Sequence, residues 1–122
     1  MSLLKSLLIL LVAFLHFYFM VLEMLLWTKP KGLKVFNMTL DHAQKTQTLA
    51  ANQGLYNAFL VAGLIWSLIH PDGEFAYQLS LFLLSCVIDA GLYGGYTVNR
   101  KILIVQAAPA ILALLAVVYA GV

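Results

Sequence analysis

The chain carries little charge. Of its 122 residues, 10% are Asp, Glu, Lys or Arg, while 63% are hydrophobic. A soluble domain has about 25% charged and roughly 45–50% apolar residues. Charges this sparse cannot cover a water-facing surface. That argues against soluble globular, disordered and collagen-like classes. The basic residues are also too few for a nucleic-acid partner. Cysteine is scarce too. Cys86 stands alone, so no internal disulfide is available, and its apolar neighbours mark it as a small packing residue. The histidines and this cysteine include no pair at metal-ligand spacing, so no metal site is expected. No glycine-rich loop follows a strand to open a helix, which leaves out nucleotide cradles. Ser67, Ser80 and Ser85 lack a nucleophile-elbow setting. His42 and His70 fall in connections and read as solvated.

Long apolar runs fill most of the chain. Four stretches stand out, at about 6–27, 49–69, 75–98 and 102–120. A membrane-spanning helix needs about 20 apolar residues. Backbone groups in lipid must pair internally, and unbroken apolar runs suit helices rather than barrel strands. The expected fold is therefore all-α. It is an integral membrane four-helix up-down bundle, forming one transmembrane domain over 1–122. Lys5 ahead of an apolar run is the pattern of a signal peptide. Glu23 and Trp27 stand where a small-residue cleavage site belongs, so the first stretch reads as a retained helix.

The connections set the orientation. The first is a long loop, 28–48. The second, His70-Pro71-Asp72-Gly73-Glu74, is a short acidic turn, and the third, at Asn99-Arg100-Lys101, is tight. Short links favour antiparallel neighbours. Lys29, Lys31, Lys34, Lys45, Arg100 and Lys101 all fall in the first and third connections, against Lys5 alone on the other side. The positive-inside rule then places loop 28–48 in the cytoplasm and both termini on the outer side of the membrane. Within that loop, Pro30 and Gly32 break the first helix. Asn37 or Thr39 could cap a new one, and nothing from Leu40 to Thr48 breaks a helix, so the second helix could begin early. Lysines among Leu33, Val35, Phe36 and Met38 would favour anionic headgroups. Positive-inside bias alone also accounts for them.

Ionisable residues inside apolar spans cost about 2.5–3.5 kcal/mol at the helix centre on translocon scales, so they usually face protein, water or a ligand. His16, Glu23 and Asp89 are the three candidates. His16 and Glu23 are seven residues apart, on one helix face and about 10 Å apart along the axis. They could line one path or one seam between helices. His16 reads foremost as a hydrogen-bonded structural residue. Glu23, near the cytoplasmic end, reads equally as a ligand-binding carboxylate or as one that snorkels to a nearby lysine. Asp89 shares its helix face with Cys86, Tyr93 and Tyr96. A carboxyl beside phenols could supply an acid/base pair, Asp89 with Tyr93 as catalytic residues, or could hold helices together.

The second span opens with an amide cluster. Asn52 and Tyr56 share one face, and Gln53 and Asn57 share the next. Amides donate and accept together, so Asn52, Gln53, Tyr56 and Asn57, with Glu23 and Tyr96, could grip a polar head group. They could equally be helix glue. Gly91 and Gly95 form small-xxx-small spacing, a close-packing signal. Pro109 cannot donate to the Val105 carbonyl, which predicts a kink in the last helix.

Residues Glu23-Met24-Leu25-Leu26-Trp27, Asn52 to Asn57 within Leu49–Gly63, Gly91-Leu92-Tyr93-Gly94 and Gln106 to Ala110 resemble a family of small bacterial four-span membrane proteins of unknown function. That resemblance covers nearly the whole chain and implies fold and location. In layout the chain is also similar to the membrane-associated eicosanoid and glutathione metabolism proteins, which are four-helix trimers with a long cytoplasmic first loop. Their third helix carries Arg, His and Tyr at offsets where this chain has Cys86, Asp89 and Tyr93, and Pro109 matches a fourth-helix proline. Loss of the arginine and histidine argues against glutathione chemistry here.

The functional expectation is a small membrane protein that binds an amphipathic or polar small molecule between helices near the cytoplasmic leaflet. It could be enzyme-like. No cofactor is identifiable from the residues. The expected partners are the lipid bilayer and further copies of the chain, with a trimer favoured by the layout resemblance. A proton-linked transporter using His16, Glu23 and Asp89, and a structural partner using the glycine face, are the alternatives.

Overall fold

Helices make up most of the computed structural model, which describes residues 2–122. In order these are α1 (Leu3–Met24), α2 (Pro30–Val35), α3 (Leu40–Ile69), α4 (Gly73–Thr97), a π-helical stretch (Leu103–Ala107) and α5 (Ala108–Ala120). No strand occurs among the described residues. Among the described residues, three helical stretches are long and apolar enough to cross a membrane: Leu3–Met24, Gly73–Thr97 and Leu103–Ala120. The fourth expected span, 49–69, is part of α3. That helix has 30 residues, but its first half carries Asp41, Gln44, Lys45, Gln47, Asn52 and Gln53. Its mixed composition keeps it apart from the other three.

The chain divides into two compact units. One takes the residues up to Leu15 together with Leu60–Val122. The other is His16–Phe59. The first unit has an apolar core. Ile9, Val12 and Ala13 of α1 meet Leu64 of α3, Leu84 and Val87 of α4, and Ala110, Ala113 and Val117 of α5. Their three- and four-residue spacings are those of one helix face. On α4 the buried face continues through Ala76, Ser80, Gly91 and Gly95. The opposite faces expose large apolar side chains, including Leu7, Phe14, Phe82, Leu112 and Leu115. Helices apolar all round belong in a large core or a bilayer.

Close approach in this unit depends on glycine. A Cβ on Gly91 would lie 2.7 Å from the Ala107 nitrogen and 2.8 Å from its Cβ. At Gly95 it would run into the Leu103 side chain. The segment that uses this gap is the π-helical stretch. The Ala108 N–H donates to the Leu103 carbonyl, one residue further back than in an α-helix. Pro109 follows directly, where it has no N–H to give and its ring crowds the preceding turn. The wider turn accommodates the proline, as π-bulges often do. The turn into α4 is fixed by Asp72, whose carboxylate accepts from the N–H groups of Glu74 and Phe75. Trp66, His70 and Phe75 cluster beside it, with His70 and Phe75 stacked at 4.4 Å.

In the second unit the expected loop 28–48 is mostly helical. α1 ends at Met24, and α2 opens with Pro30, whose missing N–H costs nothing at a helix start. α2 closes in a Schellman arrangement. Met38 N–H donates to Leu33 and Asn37 N–H to Lys34, with Asn37 at φ 51°. Asparagine tolerates that left-handed conformation. Thr39 then caps α3, its hydroxyl accepting from His42 N–H at 3.2 Å. Of the two expected caps, Thr39 takes the role and Asn37 serves the preceding helix end. Gly32 sits against the carbonyl of Leu26, where a Cβ would collide with backbone.

Candidate functional site

The polar residues of the second unit converge on Glu23. Gln53 Nε2 donates to one carboxylate oxygen at 2.6 Å, and Asn57 Nδ2 donates to the other at 2.5 Å. Gln53 and Asn57 are four apart on α3 and so present one face. Gly54 lies between them in sequence and makes the contact possible. A Cβ there would lie 2.5 Å from Met24 Cγ, 3.2 Å from Glu23 Cβ and 3.3 Å from the Met20 carbonyl oxygen. The α3 backbone therefore reaches α1 closely enough for short amide side chains to bridge to the carboxylate. Glu23 is 4% exposed. A buried carboxylate must be hydrogen-bonded or neutral, and here each oxygen has its own amide donor. The lysine partner considered for Glu23 is not what the structure provides.

The outer edge of the cluster is open. Gln53 is exposed and Asn57 half-buried. Each amide keeps a carbonyl oxygen and one N–H beyond the bond to Glu23. Asn52 is exposed, as is Tyr56, which packs edge-on against Phe59. The arrangement is a buried carboxylate backed by two amides, with Asn52 and Tyr56 alongside on the adjoining face. It can accept and donate at its rim.

Nearby, Trp27 Nε1–H donates to Thr46 Oγ1 at 3.1 Å, and the Thr46 hydroxyl donates to the His42 carbonyl at 2.8 Å. Trp27 also packs on Phe36 with ring centroids 4.9 Å apart. His16 is fully buried, with an edge contact to Phe19. Gly54 and Thr46 carry weight that the sequence reading did not assign them. Its place inside the Asn52-to-Asn57 amide cluster was the available signal for Gly54. Nothing local marked Thr46.

Asp89, Tyr93 and Tyr96 belong to the first unit. All lie on the exposed side of α4, Tyr93 at 73% and Tyr96 at 90% exposure. Within that unit nothing encloses them. No group of three or more His, Cys, Asp or Glu side chains that could hold a metal ion is found among the described residues.

No solved structure matches the chain. An uncharacterized protein of Lactococcus lactis, YpaA, is 37% identical over 117 residues, covering 94% of this chain and 97% of the relative. Residues 10–118 match the family described as protein of unknown function (DUF1304). With the match extending over nearly all of α1 to α5, the chain belongs to that family.

Proposed function

We propose that the chain is a small multi-pass integral membrane protein that binds a polar or amphipathic small molecule at the rim of the Glu23 cluster. The single observation behind this is the pairing of a sealed carboxylate with an open amide edge. Gln53 and Asn57 fix Glu23, and their outer edges, with Asn52 and Tyr56, are turned outward. In a helix that spans a bilayer, exposed amides lacking water seek a partner. A ligand head group supplies one.

The four-span count, the up-down order and the outward termini are part of this proposal. The three apolar helices and the lysine distribution support them. Asp89 with Tyr93 remains a proposed acid/base pair. Its exposed position calls for a covering surface, and a homo-oligomer would supply it, a trimer by the layout resemblance. The glycine face of α4 is less suited to an external partner, because Ala107 and Leu103 already occupy it.

Native mass spectrometry of protein extracted in mild detergent tests the reading. A small non-lipid adduct is expected on the wild type and is reduced in Asn52→Ala and Gln53→Ala. If no preparation carries an adduct, the cluster is helix glue and the binding proposal is wrong. One observation favours a second reading, proton-linked transport. His16 and Glu23 are both buried on one face of α1. Proton-dependent export from vesicles, lost in Glu23→Gln, would establish it.

A further inference from the structure

The first unit contains a second buried charge, and it borders a cavity. Lys5 is 9% exposed. Its ammonium has three N–H donors. One reaches the Gly121 carbonyl at 3.4 Å, long for an N–H···O bond. No carboxylate lies within ion-pair distance of it among the described residues. A buried ammonium without a counter-ion is costly. Beside it is a cavity of ≈ 480 Å³, lined by Lys5, Ser67, Ser80, His70 and Gly73 among mostly aliphatic neighbours.

The polar lining is rich in donors. The Ser67 hydroxyl rests on the Leu64 carbonyl and the Ser80 hydroxyl on the Tyr77 carbonyl. Both are buried, and both can rotate onto an acceptor. His70 Nδ1 accepts the N–H of Asp72 at 3.0 Å, which places the neutral ring's proton on Nε2 as a donor. Gly73, the first residue of α4, also borders the cavity, but the N–H groups of Glu74 and Phe75 that follow it are taken by Asp72. The nearby carboxylates of Asp72 and Glu74 are exposed, and Asp72 is committed to its cap bonds. Lys5, two serine hydroxyls and an imidazole thus border one space. That is the chemistry of an oxyanion site.

We propose that this cavity binds a phosphate-bearing anion, with Lys5 as the counter-ion. Two sources share that chemistry, a phospholipid headgroup and a water-borne phosphate. The lipid source rests on the membrane-spanning reading above; the water-borne source does not.

The test is titration of the full chain in mild detergent with phosphatidylglycerol, phosphatidylcholine and inorganic phosphate, read by native mass spectrometry. Lys5→Met is expected to weaken binding of phosphatidylglycerol or phosphate by about tenfold or more, while Lys5→Arg retains it. Lys31→Met, which removes an exposed lysine, is expected to change it less than about twofold. Preference for phosphatidylglycerol without competition by phosphate identifies the lipid source, and competition by phosphate identifies the water-borne one. Equal binding of both lipids with no response to phosphate overturns the proposal. So does an equal loss in Lys5→Met and Lys31→Met, which is surface charge alone. Should Lys5→Met fail to fold, the wild type gives a second readout. Magnetic-resonance coupling between ³¹P and the Lys5 ¹⁵Nζ, assigned by its loss in Lys5→Arg, is expected, and its absence overturns the site. Fractionation of the chain into membranes is a separate result and fails or succeeds independently.

Discussion

Glu23 and Lys5 are both buried charges in the same chain, and they are treated in opposite ways. In the second unit Glu23 is answered in full by α3: each oxygen has a short amide bond, and Gly54 removes the side chain that would hold the helices apart. In the first unit Lys5 has one long bond to a carbonyl and faces a cavity. The surrounding core is aliphatic. The contrast separates two uses of buried polarity. A charge that the chain satisfies internally fixes a packing arrangement. A charge left with spare donors beside an open space is arranged for something the chain does not contain.

The comparison breaks most directly at Glu23. Glu23→Leu leaves two amide donors facing an apolar side chain. No charge is left unpaired, and an orphaned neutral donor costs about 1–3 kcal/mol in soluble proteins when buried. Membrane helices feel such losses less, with single bonds averaging ~0.6 kcal/mol, because the unfolded helices find other partners. The expectation is about 2–3 kcal/mol by reversible unfolding in mixed micelles. Converting Glu23, Gln53 and Asn57 together to leucine should recover most of that loss, since an apolar replacement of a whole cluster is often neutral. A triple variant as unstable as the single one would show that the cluster's value lies in the bonds themselves.

Gly91→Ala comes next. The added methyl meets backbone atoms of Ala107 at 2.7 Å and 3.0 Å, and backbone yields poorly. Overpacking of this kind costs about 1–3 kcal/mol. Gly54→Ala meets Met24 Cγ at 2.5 Å, near the root of that side chain, with Glu23 Cβ and the Met20 carbonyl oxygen close behind, so a loss of about 1–2 kcal/mol is expected. If Gly54→Ala proves the more damaging of the two, the polar unit is the less tolerant one.

Helices were legible because composition imposes them. The apolar runs marked α1, α4 and the 102–120 segment, and the capping chemistry of Thr39 and Asp72 is local. The Gln53 and Asn57 pairing was half legible. Their shared face follows from spacing, but the choice of Glu23 as target depends on how α1 and α3 meet at Gly54. Segment 28–48 was half legible: the early start of the second helix at Leu40 follows from the lack of a breaker, but the lysines around Pro30 look like a loop even when Pro30 starts a helix and Asn37 ends it. The exposure of Asp89 was invisible to periodicity. Spacing gives the residues that share a face, and only packing decides which face turns inward. Lys5 looked like a flanking charge because its burial depends on Gly121, far along the chain.

Trp27→Phe should cost about 1 kcal/mol, because it removes the indole N–H bond to Thr46 but keeps the ring on Phe36. The Thr46 hydroxyl retains its bond to His42, so no buried donor is orphaned. A loss much above that value would mean that Trp27 packing, rather than its hydrogen bond, organises the α2 region.

The smallest stability effects are the most informative. Asn52 and Tyr56 are exposed at the rim of the second unit's cluster. Neither contributes a bond to Glu23, whose oxygens are taken by Gln53 and Asn57. Asn52→Ala and Tyr56→Phe should therefore change stability by less than about 0.5 kcal/mol, as surface substitutions usually do. A helix-glue role predicts nothing further from them. A binding role predicts a weaker adduct, because each variant removes a polar group that only a ligand would use. Unfolding in micelles and adduct retention, measured on the same preparations, distinguish the two. Unchanged stability with a lost adduct assigns the rim to a ligand. Unchanged stability with an unchanged adduct removes Asn52 and Tyr56 from the site and leaves Glu23, Gln53 and Asn57 as an internal clamp.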